Sequence, residues 1–223
     1  MRDVIEIETE RLRLRPLRMS DAARVARFAG DPGVARMILR APTPYLECAA
    51  EGWIMTLNAR KPLNEDFVYA VEREGEGLMG MIGAHKRDEA GFEVGYWFGR
   101  PYWGQGYATE ALRGFVSEAR ALGALRAGHF ADNPASGRVL QKGGFAYTGE
   151  TETLFSIGRG ASAPVKRMLY APALERGFGV REALACWAQR SPMLCRAPAM
   201  VACRPSNSAP KSAPPTCTAK NTA

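Results

Sequence analysis

The chain has 223 residues, 46% of them apolar and 24% charged, a balance that excludes a fibrous or wholly disordered protein. At this size roughly 70% of the unfolded surface can be buried, so neither metal nor disulfide is needed to hold a core. The formal net charge of +7 is unevenly spread: residues 1–170 carry 23 Lys+Arg against 21 Asp+Glu (+2), and residues 171–223 carry 7 against 2 (+5). In that tail the cations stand singly among Pro and Ala with no aromatic-interleaved basic stripe, which argues against a nucleic-acid partner. Four of the five cysteines (Cys186, Cys195, Cys203, Cys217) also fall there, at spacings that match no zinc pattern, and only Cys48 lies in the body. No apolar run nears the roughly 20 residues that span a bilayer, and the first 15 residues contain no signal-peptide core. A cytoplasmic protein without a metal or a membrane partner is expected.

In chain order, residues 10–17 (ERLRLRPL) alternate Leu12 and Leu14 with Arg11, Arg13 and Arg15, the period of a half-buried strand, closed by Pro16. Ser20-Asp21 supplies a cap for a helix over 22–29 that stops at Gly30-Asp31-Pro32. A second helix is expected from Thr43 as N-cap and Pro44 in its first turn, with Leu46, Ala49, Ala50, Trp53, Ile54 and Leu57 along one face. Strands over 67–71, 78–85 and 92–98, separated by EREGEG and KRDEAG, read as an antiparallel meander. The next helix aligns Ala108, Ala111, Leu112, Phe115, Val116, Ala119 and Leu122 and ends at Gly123. A strand over 126–131, a short helix over 134–142 and strands over 145–148, 153–157 and 165–170 complete the body, with no internal repeat. Beyond Tyr170 only 180–190 has helical periodicity. The Ala/Pro/Ser-rich remainder cannot bury enough apolar surface to offset its chain entropy, so the tail is expected to be largely disordered.

The segment with chemical content is GFEVGYWFGRPYWGQGYATEAL (91–112), a strand leading through a Gly-rich turn into a helix. Glycines at 104 and 106 and the small Ala108 let backbone N–H groups converge, and the helix adds about half a positive charge at its start. This is a cradle for an anion such as a pyrophosphate. A dinucleotide fold would place such a turn after the first strand, whereas here several strands precede it. The GK[ST] of a nucleotide-triphosphate loop is absent.

These residues resemble the GNAT superfamily of acetyl-CoA-dependent N-acetyltransferases, and within it the RimJ/RimL-like branch (acetyltransferase type 3). Four blocks carry the likeness: TERLRLRPL at 9–17, FEVGYWFGRPYWGQGYATEAL at 92–112, ADNPASGRVLQKGGF at 131–145 and VKRMLY at 165–170. The resemblance implies an α+β GNAT fold over residues 1–170, with a central, mostly antiparallel, splayed sheet of six to seven strands and about four helices. It also implies transfer of the acetyl group of acetyl-CoA to a primary amine, on a protein N-terminus or a small molecule, by a monomer or homodimer. The pyrophosphate would rest on the backbone of Gly104, Gln105, Gly106, Tyr107, Ala108 and Thr109, with Trp103 standing where the family usually has Gln or Arg. The pantetheine arm would run beside Tyr96, Trp97 and Phe98, and Asn133 lies where the family commonly touches the cofactor. Tyr96 and Phe98 also read as core aromatics.

By the same resemblance Glu93 is the candidate base and Ser136 the candidate proton donor, because Leu140 occupies the position of the superfamily's usual acidic tyrosine. Glu93 reads equally as a solvent-facing strand residue, and Ser136 as a helix-start residue. The loss of that tyrosine keeps open a different class of function, a non-catalytic acyl-CoA-binding or regulatory domain. His85 and His129, each in a predicted strand far from any Cys or acidic pair, read as structural or surface residues. Glu110 and Glu118 read as solvated helix positions.

Overall fold

The computed structural model describes residues 6–88 and 91–171. The proposed tail and its helical stretch at 180–190 lie outside the described residues. Eight strands form one sheet in the order β1-β2-β3-β4-β5-β6-β8-β7. They are β1 (Ile7–Glu8), β2 (Arg13–Pro16), β3 (Asp66–Arg73), β4 (Gly77–Asp88), β5 (Gly91–Phe98), β6 (Leu125–Phe130), β7 (Phe145–Ser156) and β8 (Ala161–Tyr170). Five helices accompany them: α1 (Ala22–Ala29), α2 (Pro32–Ala35), α3 (Glu47–Arg60), α4 (Tyr107–Ala119) and α5 (Pro134–Lys142). The mixed fold with an open, mostly antiparallel sheet is as the sequence predicts, with one more strand and one more helix among the described residues.

One junction differs from the rest. Strands β5 and β6 run parallel, as the helical crossover through α4 requires. They pair only over Phe92–Val94 against Leu125–Ala127, and then part. From Gly95 onward β5 pairs with β4 alone, and from Gly128 onward β6 pairs with β8 alone. The result is a split in the middle of the sheet.

Each face of the sheet carries its own core. Leu14, Val71, Ile82, Val94 and Phe98 pack under Leu112, Phe115 and Leu140 of α4 and α5. On the opposite face Ala70, Leu78 and Met81 pack against Val25 and Phe28 of α1 and Ala50 and Ile54 of α3. Because strand side chains alternate, Val94, Tyr96 and Phe98 face α4 and α5, while Glu93, Gly95 and Trp97 face the side of α1 and α3.

The sequence reading misplaces several details, each for a physical reason. β1 escapes it because two residues carry no period, and it exists by pairing Ile7 with Leu14. Asp21 does not cap α1; its carboxylate accepts two bonds from Arg15, both 2.8 Å, and one from the Arg18 amide at 2.8 Å. The helix expected from Thr43 begins at Glu47 with Leu46 as N-cap, and Leu46 is exposed rather than packed. The strands expected at 145–148 and 153–157 are one strand, β7, whose register shifts between Tyr147 and Thr151. Among the described residues no helix is long and apolar enough to cross a membrane.

Candidate active site

The Gly-rich turn leaves β5 through a short 3-10 turn at Arg100–Tyr102 and enters α4 at Gly106. Gly104 and Gly106 have φ of +74° and +83°, the left-handed region where a side chain is strained. A Cβ at 104 would meet nothing, and one at 106 would come within 3.5 Å only of the Arg11 guanidinium, so backbone conformation rather than crowding calls for these glycines. At the start of α4 the Thr109 amide donates to the Gly106 carbonyl at 3.0 Å, and the Tyr107 and Ala108 amides come before the helix's own hydrogen bonds. Trp103 donates its indole N–H to the Phe98 carbonyl at 2.7 Å, and Gln105 donates its side-chain amide to the Pro101 carbonyl at 2.8 Å. Both side chains therefore brace the turn.

Sequence reasoning missed what holds this turn against the sheet. Arg11 lies over the Tyr107 ring, 4.6 Å from its centre, donates to the Gln105 carbonyl at 3.3 Å and to Glu110 Oε2 at 2.7 Å. Glu110 also accepts from the Arg11 amide and the Thr9 hydroxyl, each at 2.7 Å. Burial pushes the Glu110 carboxyl up, but these hydrogen bonds outweigh it and hold the group below its ordinary range. Far from being a solvated helix residue, Glu110 pins the β1–β2 connection to α4. The alternation of Arg and Leu in 10–17 carried only the strand signal; the partner of Arg11 is 99 residues away. Beside the turn lies an open cleft of about 690 Å³, in which Arg11, Arg113 and Lys142 face Glu8 and Glu10.

The split in the sheet brings the remaining candidates to two sides of one opening. On the α4/α5 side the Tyr96 hydroxyl lies 2.9 Å from Ser136 Oγ and 3.2 Å from the Ser136 carbonyl. Asn133 is the N-cap of α5, its side-chain oxygen accepting from the Ser136 amide at 3.1 Å. Phe98 is a core residue, and Trp97 packs into the second core on the other face. Leu140 is buried with 1% exposure and offers no polar group. The start of α5 rests on His129, which is buried: its Nδ1 donates to the Phe130 carbonyl at 2.8 Å and its Nε2 is hydrogen-bonded to the Tyr147 hydroxyl at 2.9 Å. Gly137 fits over this pair because a Cβ there would lie 2.5 Å from the Tyr147 oxygen and 2.6 Å from His129 Nε2.

On the α1/α3 side stands Glu93. Arg167 of β8 clamps both of its oxygens, at 2.9 and 2.7 Å, and the hydrogen bonds to Glu93 hold that guanidinium above its ordinary range. Arg87 approaches to 3.6 Å. His85, opposite Glu93 in the register, is bound through Nδ1 to Asp66 at 2.7 Å. Next along the same face, Gly95 is exposed and a Cβ there would meet nothing within 4 Å. Beside Glu93, therefore, the sheet surface is bare backbone. Among the described residues no group of His, Cys, Asp and Glu is arranged to hold a metal ion.

Two surface segments meet next to Asn133. Asp132, next to Asn133, accepts from Arg36 at 2.8 Å and from both terminal nitrogens of Arg159 at 2.9 and 2.8 Å. The turn after β7 is fastened to the segment after α2 by Ser156 Oγ to the Ile38 carbonyl at 2.8 Å and by the Ile157 amide to the Leu39 carbonyl at 3.0 Å.

The sequence model described as an acetyltransferase (GNAT) domain matches residues 11–146. The chain is a GNAT-family acetyltransferase. Among curated relatives it is 32% identical over 149 residues to the N-acetyltransferase YoaA of Bacillus subtilis, covering 64% of this chain and 84% of that one. It is also 28% identical over 112 residues to the N-acetyltransferase p20 of Bacillus licheniformis, covering 48% of this chain and 62% of that one, less than two thirds of its length. The crystallised RimJ of Mycobacterium smegmatis, in complex with a CoA disulfide, superimposes with a TM-score of 0.68 at 20% identity, over 83% of this chain and 96% of that one. At that identity the likeness speaks for the GNAT fold.

Proposed function

We propose that this GNAT-family protein moves the acetyl group of acetyl-CoA to a primary amine, on a protein N-terminus or a small molecule, by direct attack in a ternary complex. The observation that carries the proposal is the split at Val94/Ala127. It sets an open strand edge and a helix N-terminus on one side of the sheet and an arginine-held carboxylate on the other. Acetyl-CoA would supply the thioester; this chain's residues position it and manage two protons.

The backbone from Gly104 to Thr109 would take the pyrophosphate, chiefly through the amides before Thr109, whose own is held by the Gly106 carbonyl, aided by the partial positive charge at the start of α4. The edge of β5 from Gly95 to Phe98, free of β6, would pair with the amide-bearing pantetheine arm as an added strand does. Asn133 would contribute its unused NH₂. Across the split, Glu93 would accept the proton of the attacking amine. A carboxylate offers about four lone-pair positions, of which Arg167 occupies two, so the others remain for an amine or an intervening water. Ser136 would donate to the departing sulfur.

The test is an acetyl-CoA assay with peptides beginning Ala, Ser, Thr and Met beside a set of small amines, joined to binding measurements on Gly106→Val. That variant should lose acetyl-CoA affinity by at least tenfold, since several charge-assisted hydrogen bonds, each about 1.5–3 kcal/mol, depend on the turn. Unchanged affinity would remove the cradle from the site. Tight binding without turnover of any amine would favour an acyl-CoA-binding module instead.

A further inference from the structure

We propose that Tyr96 and Ser136 act as one hydrogen-bond relay to the sulfur that leaves, Ser136 touching it and Tyr96 polarising Ser136 from the opposite bank of the split. The proposal deepens the acetyl-transfer reading and rests on it. Its basis is the contact of 2.9 Å between the two hydroxyls, which joins β5 to the first turn of α5 where β5 and β6 have parted.

The hydrogens can be counted. Tyr96 has one, and its oxygen faces only Ser136, at Oγ and, at 3.2 Å, at the carbonyl. When Tyr96 donates to Ser136 Oγ, the serine's own hydrogen is left for the sulfur; when Tyr96 donates to the Ser136 carbonyl, the serine donates to Tyr96, so the relay works through the first arrangement. The Ser136 amide is already held by Asn133, so the serine is fixed at the positive end of α5. Burial pushes the Tyr96 phenol up to about 12, with the Ser136 hydrogen bond pulling against it. Tyr96 thus stays neutral and remains a donor throughout the working range.

In the step itself, the amine nitrogen bonds to the acetyl carbon and the C–S bond breaks with its electron pair on sulfur. The amine proton passes to Glu93. Ser136 O–H, strengthened by the bond from Tyr96, stabilises the thiolate, which takes its proton from water on release. Ser136 is here the catalytic residue and Tyr96 a positioning residue acting through it.

The experiment compares CoA with desulfo-CoA by calorimetry from pH 6.5 to 9 on the full chain and on Tyr96→Phe, Ser136→Ala and the double variant, with kcat measured in parallel. A site that stabilises thiolate should prefer CoA increasingly as pH rises toward about 8.5, where an ordinary thiol ionises. The wild type should show that rise, Tyr96→Phe a smaller one, and Ser136→Ala none. In kcat, Ser136→Ala should lose about 10²-fold, the usual cost of one such donor. Tyr96→Phe should lose about fivefold to tenfold, the size of one neutral hydrogen bond. The double variant should lose no more than Ser136→Ala, and Ser136→Thr should recover most of the rate. A purely structural Tyr96 would lower the melting temperature without altering the CoA preference, which would overturn the relay, as would additive losses in the double variant. Failure of the wild type to bind either ligand would instead overturn the acetyl-CoA reading beneath it.

Discussion

Glu93 illustrates what a single residue can and cannot disclose. Its place in a strand ahead of a glycine turn was legible in the sequence, but its partner was not. Arg167 lies 74 residues further on, in a strand whose alternation signals only that it is half-buried. Tertiary structure makes the pair, and the pair fixes the carboxylate's plane. If Glu93 is the base as proposed, Glu93→Gln should lower kcat by roughly 10²–10⁴, the usual contribution of a positioned base, because an amide cannot take the amine's proton. The loss should shrink as the pH is raised and free amine becomes abundant. Rates within threefold of wild type at neutral pH would return Glu93 to a structural role. Gly95 teaches the reverse lesson: nothing in its backbone or surroundings demands a glycine.

Elements were legible in proportion to their periodicity. The helix over Tyr107–Ala119 and the one over Pro134–Lys142 have strong apolar stripes and clear starts, and they stand where the pattern sets them. Caps were harder, because Ser, Asp and Asn can serve elsewhere. Asp21 is the instructive case. Its carboxylate and the Arg15 guanidinium are both buried, with side-chain exposures of 6% and 3%, and together they join β2 to the start of α1. Burial pushes the Asp21 carboxyl up, but the hydrogen bonds from Arg15 and from the Arg18 amide prevail and lower it. A lowered carboxyl stabilises the fold fully above its unfolded pKa of about 3.9, and that contribution drains away as the pH falls through the native value. Asp21→Asn should cost about 1.5–3 kcal/mol at pH 7, the size of a hydrogen bond to a charged group, because the buried Arg15 then keeps only Glu72, at 2.7 Å, as a carboxylate partner. The difference between variant and wild type should narrow below about pH 4. Chemical denaturation at pH 7 and pH 3 checks both; an equal gap at the two values would assign the cost to packing.

At the scale of the whole molecule, the order of strands was partly legible. A meander followed by a helical crossover implies one parallel junction, and that junction is where the sheet divides. The division itself could not be read, because it depends on where two strands 33 residues apart in register cease to pair, Phe92 with Leu125 at one end and Val94 with Ala127 at the other. From the change in charge, cysteine and proline content after Tyr170 we propose that the segment beyond it is appended; β8 is the last strand among the described residues. A chain ending near Gly177 should therefore keep acetyl-CoA affinity and rate within about twofold. Its melting temperature should stay within the few degrees that ~1 kcal/mol represents. Insolubility or lost binding would make the tail part of the domain.

The cluster of Asp132 with Arg36 and Arg159 ties the segments after α2 and β7 to the residue before Asn133. If cofactor and amine meet at the split as proposed, any order that one imposes on this cluster the other would find already established, and each would lower the entropic cost of seating its partner. Thermodynamic reciprocity makes that help equal in both directions, so a factor by which the cofactor tightens the amine is also the factor by which the amine tightens the cofactor.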